Sequence, residues 1–341
     1  MLRFPLRAGL IALSVATVAC GGGGSSRPAG PEKIKVGLLL DSLVEERWQR
    51  DRDLFVERVK ELGGEAIVKA ANRDAALQEQ QGRELLDQGV KALVIVASDT
   101  EKAAAIVAAA SEKKVPVISY DRLIRDSDVA LYVSFDNVKV GRMQAEYLLN
   151  QAPKGNYLLI GGSQTDNNAK LLRQGQMEML KPAIAAGSVK IVGDGWADNW
   201  SEEAAKALTE EGLKKARNNL AAIIASNDRT ALGAVDALTE SKLAGKVFVS
   251  GQDAELAAMK RIVAGTQSMT VYKPLRPLAR MAAGAAMNMA QGQTEEGVVT
   301  VNNGKKDVPA RLLEPISVDK ETMDRTVIAD GYHTRNEVYG K

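Results

Sequence analysis

KALVIVASDTEKAAAIVAAASEKKVPVISYDR, residues 91–122, decides the fold. Its run ALVIVA is almost unbroken apolar sequence, short enough for a strand and rich in β-branched residues. Ser98, Asp99 and Thr100 then supply helix-capping side chains, and lysines close the following alanine-rich helix where its dipole favours cations. VPVISYD follows as a second apolar strand. Strand, helix and strand in so short a span make a βαβ unit, whose strands run parallel. Strands apolar on both faces belong in a parallel sheet covered by helices on each side.

The same alternation extends in both directions. Upstream lie the strand KIKVGLLLD (33–41) and EERWQRDRDLFVERVKELGG, a helix with Trp48, Phe55, Val59 and Leu62 on one face and glycine as its stop. EAIVKAAN is a strand and AALQEQQGRELLDQGV a helix. Downstream, ALYVSFDN ends a first series, and VGRMQAEYLLNQA opens a second as a helix. NYLLIGG, VKIVGDG, LAAIIASND and VFVSGQD are the strands of that second series. SMTVYKPLRPLARMAAGAAMNMAQG supplies a strand and a long helix, VTVNNGKKDVPARLLEPISV short strands, and HTRNEVYGK a loose tail. One architecture is laid down twice, and 341 residues are long for a single core. Two lobes are expected, residues 33–136 plus 273–300 and residues 137–272 plus 301–335, with crossings near Asp136, Tyr272 and Val301.

The polar residues gather where strands end, at Asp41, at Asp121 and Arg122, before Asn168, at Asn227 and Asp228, at Asp253 and at Lys273. In open α/β sheets ligands bind outside those carboxyl ends. Carboxylates accept, whereas Arg, Lys and Asn donate, so the set suits a polyhydroxylated ligand whose hydroxyls do both. The three tryptophans, Trp48, Trp196 and Trp200, offer flat apolar surface. Machinery for catalysis is thin. No G-x-S-x-G elbow, H-E-x-x-H pair or phosphate-binding G-x-x-x-x-G-K-[ST] loop is present. Asp121 and Asp253 could form a glycosidase pair, but with Arg and Lys beside them hydroxyl acceptance is the better reading. Gly161 and Gly162 leave room for close packing, and His333 is expected at the surface. The chain reads as a binding protein rather than an enzyme.

Arg3 and Arg7 precede the apolar GLIALSVATVA, which ends at Cys20; a basic start, a short apolar core and small residues describe an export signal over 1–19. The stretch is short for a bilayer span. Cys20 is the sole cysteine, which excludes an internal disulfide and a Cys-based zinc site. Followed by GGGGSSRPAGP, it resembles the lipidated first residue of a bacterial lipoprotein, with residues 20–32 as a flexible tether. The processed body carries 43 positive and 43 negative side chains, which gives no reason to expect nucleic acid as a partner.

Several segments carry a resemblance: DSLVEERWQRDRDLFV, YDRLI, VSFDNVKVG, GGSQTDNNAKLLRQGQM, ASNDRTALGA, SGQDAELAAMKRIVAGTQSMTVYKP and NNGKKDVPARLL. They resemble the D-xylose-binding branch of the type I periplasmic binding proteins, the sugar-capturing subunits of bacterial ABC importers, from about Lys33 to His333. The resemblance implies an α/β clamshell of two Rossmann-like lobes with parallel sheets, hinged by three crossovers. It implies that Arg47 and Arg122 donate to sugar hydroxyls and that Asp121 accepts. Asn168, Asn227, Asp253 and Lys273 then complete the polar shell, and Trp48 and Trp200 cover the ring faces. It further implies a monomer without cofactor or metal that takes D-xylose to permease subunits. The alternative is a chemotaxis or sensor-kinase receptor as partner, with another pentose or a hexose as ligand. The first motif departs from the family around Ser42, Val44 and Glu45.

Overall fold

The first sheet begins with β1 (Lys35–Leu40), β2 (Glu65–Ala70), β3 (Ala92–Ile95), β4 (Val117–Tyr120) and β5 (Leu131–Phe135), with helices α1 (Glu46–Glu61), α2 (Ala75–Asp87) and α3 (Ala104–Glu112) between them. The computed structural model describes residues 1–2 and 33–340; the expected signal core, Cys20 and the tether lie outside the described residues. Strands pair in the order β2-β1-β3-β4-β5, all parallel. Successive β1 side chains take opposite faces, as a pleated strand requires. Leu38 and Leu40 pack with Trp48 and Phe55 of α1, whereas Leu39 joins Leu85 and Ile106 beneath α2 and α3. Both faces are therefore core, which accounts for the unbroken apolar strands.

After α4 (Asn137–Gln151) the pattern repeats with β6 (Gly155–Gly161), α5 (Asn167–Ala185), β7 (Val189–Trp196), α6 (Glu202–Ala216), β8 (Ala222–Ala225), α7 (Asp228–Glu240), β9 (Phe248–Val249) and α8 (Leu256–Ala264). The second sheet runs β7-β6-β8-β9, also parallel. Each sheet starts in its middle and reverses direction beside its first strand, so each has a switch point where strand ends leave a crevice.

The chain then crosses between lobes. β10 (Thr270–Tyr272) leads into α9 (Leu275–Ala290), which packs Leu278, Ala282 and Ala286 on the first sheet. Here one boundary differs from the sequence expectation. β11 (Val299–Asn302) and β12 (Asp307–Leu313) do not belong to the second lobe. β12 pairs in parallel with β5, and β11 closes that edge antiparallel. Val308 and Ala310 are buried in the first lobe's core, and Asn303 donates to the Ile124 and Ser127 carbonyls. The last crossing therefore falls between Leu313 and β13 (Ile316–Val318), not near Val301; β13 pairs antiparallel with β10.

The tail also differs from expectation. Arg335–Tyr339 form α10, opened by a capping box in which Thr334 and Glu337 satisfy each other's backbone N–H groups. Val338 is buried against Met323 and Val327, and His333 is 1% exposed rather than at the surface. The T-x-x-E spacing signals this helix in the sequence. No described helix is long and apolar enough to cross a membrane.

Candidate functional site

The polar and aromatic residues of the site stand at helix starts or in the segments after strands, placed there by local chemistry. Asp166 caps α5 by accepting from the Asn168 N–H at 2.9 Å, which fixes Asn168 at the first turn. Asn227 caps α7 in a capping box with Thr230; its carbonyl oxygen is engaged there, which leaves its amide nitrogen for the crevice. Trp200 follows β7 in a short turn, and the sequence provides its space: a Cβ on Gly162 would meet the Trp200 ring at 2.3 Å, and one on Gly161 the Trp196 ring at 2.4 Å. The glycines serve close packing, as their sequence suggested.

Asp121 directly follows β4 and Asp253 lies in the turn after β9, each with its backbone in the left-handed region, φ 62° and 95°. Both are fixed alike: the Asp121 N–H donates to the Val133 carbonyl at 2.8 Å and the Asp253 N–H to the Val271 carbonyl at 2.8 Å. Such a conformation is costly for a residue with a Cβ and persists where surrounding contacts over-determine it. The duplicated architecture thus presents one carboxylate from each lobe, facing the same cations.

The cations shared by both carboxylates are Arg47 and Lys273; Arg122 stands beside them. Arg47, on α1, places Nη2 2.8 Å from Asp121 Oδ2 and Nη1 3.1 Å from Asp253 Oδ1. Asp51, one turn along, backs it at 3.5 Å and accepts from the Tyr120 hydroxyl. Lys273 Nζ lies 3.4 Å from Asp253 and 3.8 Å from Asp121. Arg122 is held by Asp41 and by Asp166 of the opposite lobe, each at 2.8 Å, and by the Ala97 carbonyl. Asn168 Nδ2 donates to Asp121 Oδ1 at 3.0 Å. Burial works against the charge on Asp121, but Arg47, Lys273 and Arg122 together outweigh it and bring its pKa to about 2. Burial likewise opposes the charge on Arg47, yet Asp121, Asp253 and Asp51 hold its pKa well above the ordinary arginine value. Both stay ionised across the physiological range.

These groups surround one small cavity of about 30 Å³. The nine residues that the resemblance assigns to the sugar line it, namely Arg47, Trp48, Asp121, Arg122, Asn168, Trp200, Asn227, Asp253 and Lys273, whereas Asp41, Asp228 and Trp196 do not. Glu45, Asp166 and Gln252 line it too, and were missed. Each lies within two residues of one that the sequence picks out, and Asp166 reads in sequence only as a helix cap. Of the departures in the first motif, Glu45 reaches the cavity, Ser42 donates to Glu45 at 2.8 Å, and Val44 faces solvent. Asn168 Oδ1, Trp200 Nε1 and Gln252 Oε1 are buried with no hydrogen-bond partner in the protein. Buried polar atoms normally find one, so three wall atoms are available to a ligand. Arg47 and Arg122 lie over the Trp48 ring at 4.1 and 5.5 Å, so cations take up part of that aromatic surface. Among the described residues no group of histidine, cysteine and carboxylate side chains is arranged to hold a metal ion.

The sequence profile of the periplasmic binding protein domain matches residues 36–294. This chain belongs to the periplasmic binding protein family. It is 46% identical to the D-xylose-binding periplasmic protein of Haemophilus influenzae over 92% of this chain and 95% of that protein. The protein of the same name from Escherichia coli is also 46% identical, over 91% and 94%. Among solved structures, a carbohydrate transporter solute binding protein from Chloroflexus aurantiacus in complex with D-glucose superposes with a TM-score of 0.85 at 34% identity, covering 90% of this chain and 98% of that one. The two lobes and their crossovers are those of this periplasmic binding fold.

Proposed function

We propose that this periplasmic binding protein captures D-xylose outside the cytoplasm and delivers it to the permease of an ABC importer. The observation that supports this most is the cavity itself. Both lobes contribute to it, carboxylates from each share the same cations, and three buried wall atoms lack partners. A pentose has only about ten heavy atoms, and sub-micromolar binding corresponds to roughly −8 to −9 kcal/mol, near the ceiling for so small a ligand. Such a site has to be preformed, dry and bonded to almost every hydroxyl. Hydrogen bonds to charged groups contribute about 1.5–3 kcal/mol each. An inverted or missing hydroxyl strands a buried Asp or Arg, which is how the sugar is selected.

Ligand that bridges both lobes favours the closed state by its differential affinity for it. The closed surface is then what the permease reads. Cys20, when lipidated, keeps the protein beside that permease; mass spectrometry of the mature N-terminus checks the modification. A second reading, D-glucose as ligand, is favoured by the sugar in the Chloroflexus aurantiacus structure. Calorimetry with xylose, glucose, ribose and arabinose separates the two. Heat with xylose and little with the others supports the assignment, and binding of another sugar without xylose rejects it.

A further inference from the structure

The chain has one histidine, His333, and it lies behind the cavity wall, 1% exposed. Its Nε2 is 2.8 Å from the Ala254 carbonyl oxygen, which can only accept, so Nε2 carries a proton. Its Nδ1 faces Nη2 of Arg50 at 3.4 Å, and a guanidinium can only donate, so Nδ1 is the bare nitrogen. Two neighbours on opposite sides thus impose one neutral tautomer.

Both neighbours bear on Asp253. Ala254 follows it directly, and the two are consecutive left-handed residues, φ 95° and 52°. Such a pair needs anchoring. The Asp253 N–H is held by the Val271 carbonyl at 2.8 Å and the Ala254 N–H by Thr270 Oγ1 at 3.3 Å, while the Ala254 carbonyl is held by His333. Arg50 sits on α1 three residues after Arg47. It donates to Glu46 at 3.0 Å and to the Tyr332 carbonyl, and its guanidinium lies 4.3 Å from the Tyr332 ring centre. Glu46 also accepts from the Leu256 N–H at 3.4 Å. One helix of the first lobe therefore grips the Asp253 turn twice, through Arg47 at the carboxylate and through Arg50 and His333 from behind.

We propose that His333 is a positioning residue for sugar binding: with Arg50 it forms a latch between the lobes that fixes the Asp253–Ala254 turn. The proposal rests on the cavity being the sugar site. The latch holds when the ring is neutral. Burial favours that form and Arg50 adds to it, whereas the Ala254 carbonyl, Glu46 of α1 and Glu337 of α10 favour the proton, and the net effect is a pKa below the ordinary histidine value. Protonation would set an N–H of the ring against the Arg50 guanidinium.

A lone histidine makes the test direct. In protein labelled with ¹⁵N-histidine, NMR is expected to show the Nε2–H tautomer near about pH 7 and a titration midpoint that falls when sugar is added, because binding and ring neutrality are linked. By calorimetry, His333→Phe, which keeps a ring but no donor, is expected to weaken sugar binding about tenfold or more, and His333→Gln, whose amide can still donate to Ala254, by no more than about threefold. Arg50→Gln, at a half-buried position, covers the case of a misfolded His333→Phe and is expected to raise the ring's midpoint and weaken binding several-fold. A midpoint indifferent to sugar, or His333→Phe and Arg50→Gln with wild-type affinity, overturns the latch. The sugar used is whichever of the four the wild type binds, so failure of xylose alone rejects the xylose reading without touching the latch. Wild-type protein that binds none overturns both.

Discussion

Arg47 Nη1 lies 3.1 Å from Asp253 Oδ1, and this contact joins the first helix of one lobe to the last strand-end carboxylate of the other. The same guanidinium holds Asp121 at 2.8 Å. One side chain therefore registers the two carboxylates, each in the segment after an equivalent strand of a duplicated fold. Their positions relative to a sugar follow from the same arginine that would bond it.

Replacing Asp253 tests that relationship. Asp253→Ala leaves Arg47 and Lys273 facing each other with one carboxylate fewer, and removing one partner of a buried charge pair costs about 2–5 kcal/mol in binding. Xylose affinity is expected to fall by roughly 30- to several-thousand-fold. The melting temperature of the sugar-free protein is expected to change little, because lobes that part return both cations to water. Calorimetry and thermal unfolding check this; a mutant that unfolds would make Asp253 structural.

The cavity's outline was legible in the sequence because strand ends, caps and capping boxes are local features. Asp121, Asn168, Asn227 and Asp253 all stand where a strand pattern stops. Glu45, Asp166 and Gln252 were not legible, because their direction depends on the backbone of a turn rather than on periodicity. Residues 301–313 read as strands, but the sequence places them in the other lobe. An alternating strand pattern does not say which sheet a strand joins, and only the pairing of β12 with β5, and of β11 with β12, decides that. His333 was misplaced for a similar reason: the polar letters around it hide the burial of Tyr332 and Val338 on either side.

Gly162 should be intolerant of a side chain. The Cβ of Gly162→Ala would meet the Trp200 ring at 2.3 Å, so the indole has to move within the cavity wall. Overpacking of this kind costs about 1–3 kcal/mol of stability. Sugar affinity is expected to fall about tenfold or more as the ring leaves its place. Calorimetry reads the affinity, and tryptophan fluorescence reads the displaced ring.

Stability should depend on pH in two opposing ways. Burial raises the pKa of Asp51 to about 6, of Asp228 to about 7 and of Glu255 to about 8. An acid raised by folding binds its proton more tightly in the native chain, so its contribution is complete below the unfolded pKa and is lost as pH rises through the folded one. Asp121 is the reverse: brought to about 2, it contributes above the usual carboxylate range and is lost on acidification toward that value. The melting temperature is therefore expected to peak near about pH 4–5 and to decline toward about pH 8. Glu255→Gln removes one of these raised acids and should flatten the upper part of that decline, where each tenfold difference in proton affinity between folded and unfolded chain is worth about 1.4 kcal/mol. Thermal unfolding at constant ionic strength checks both; a melting temperature that rises from pH 5 to pH 8 contradicts them.

A crystal structure of the protein grown with D-xylose tests the central claim most directly. The expected result is one pentose between the lobes, with its oxygens within about 3.2 Å of groups from each lobe, Arg47 and Asp121 on one side and Asn168 on the other, and its ring against Trp48 or Trp200. A pentose bound by a single lobe, or outside the cavity with Arg47, Asp121, Asp253 and Lys273 still paired only with one another, would contradict the account.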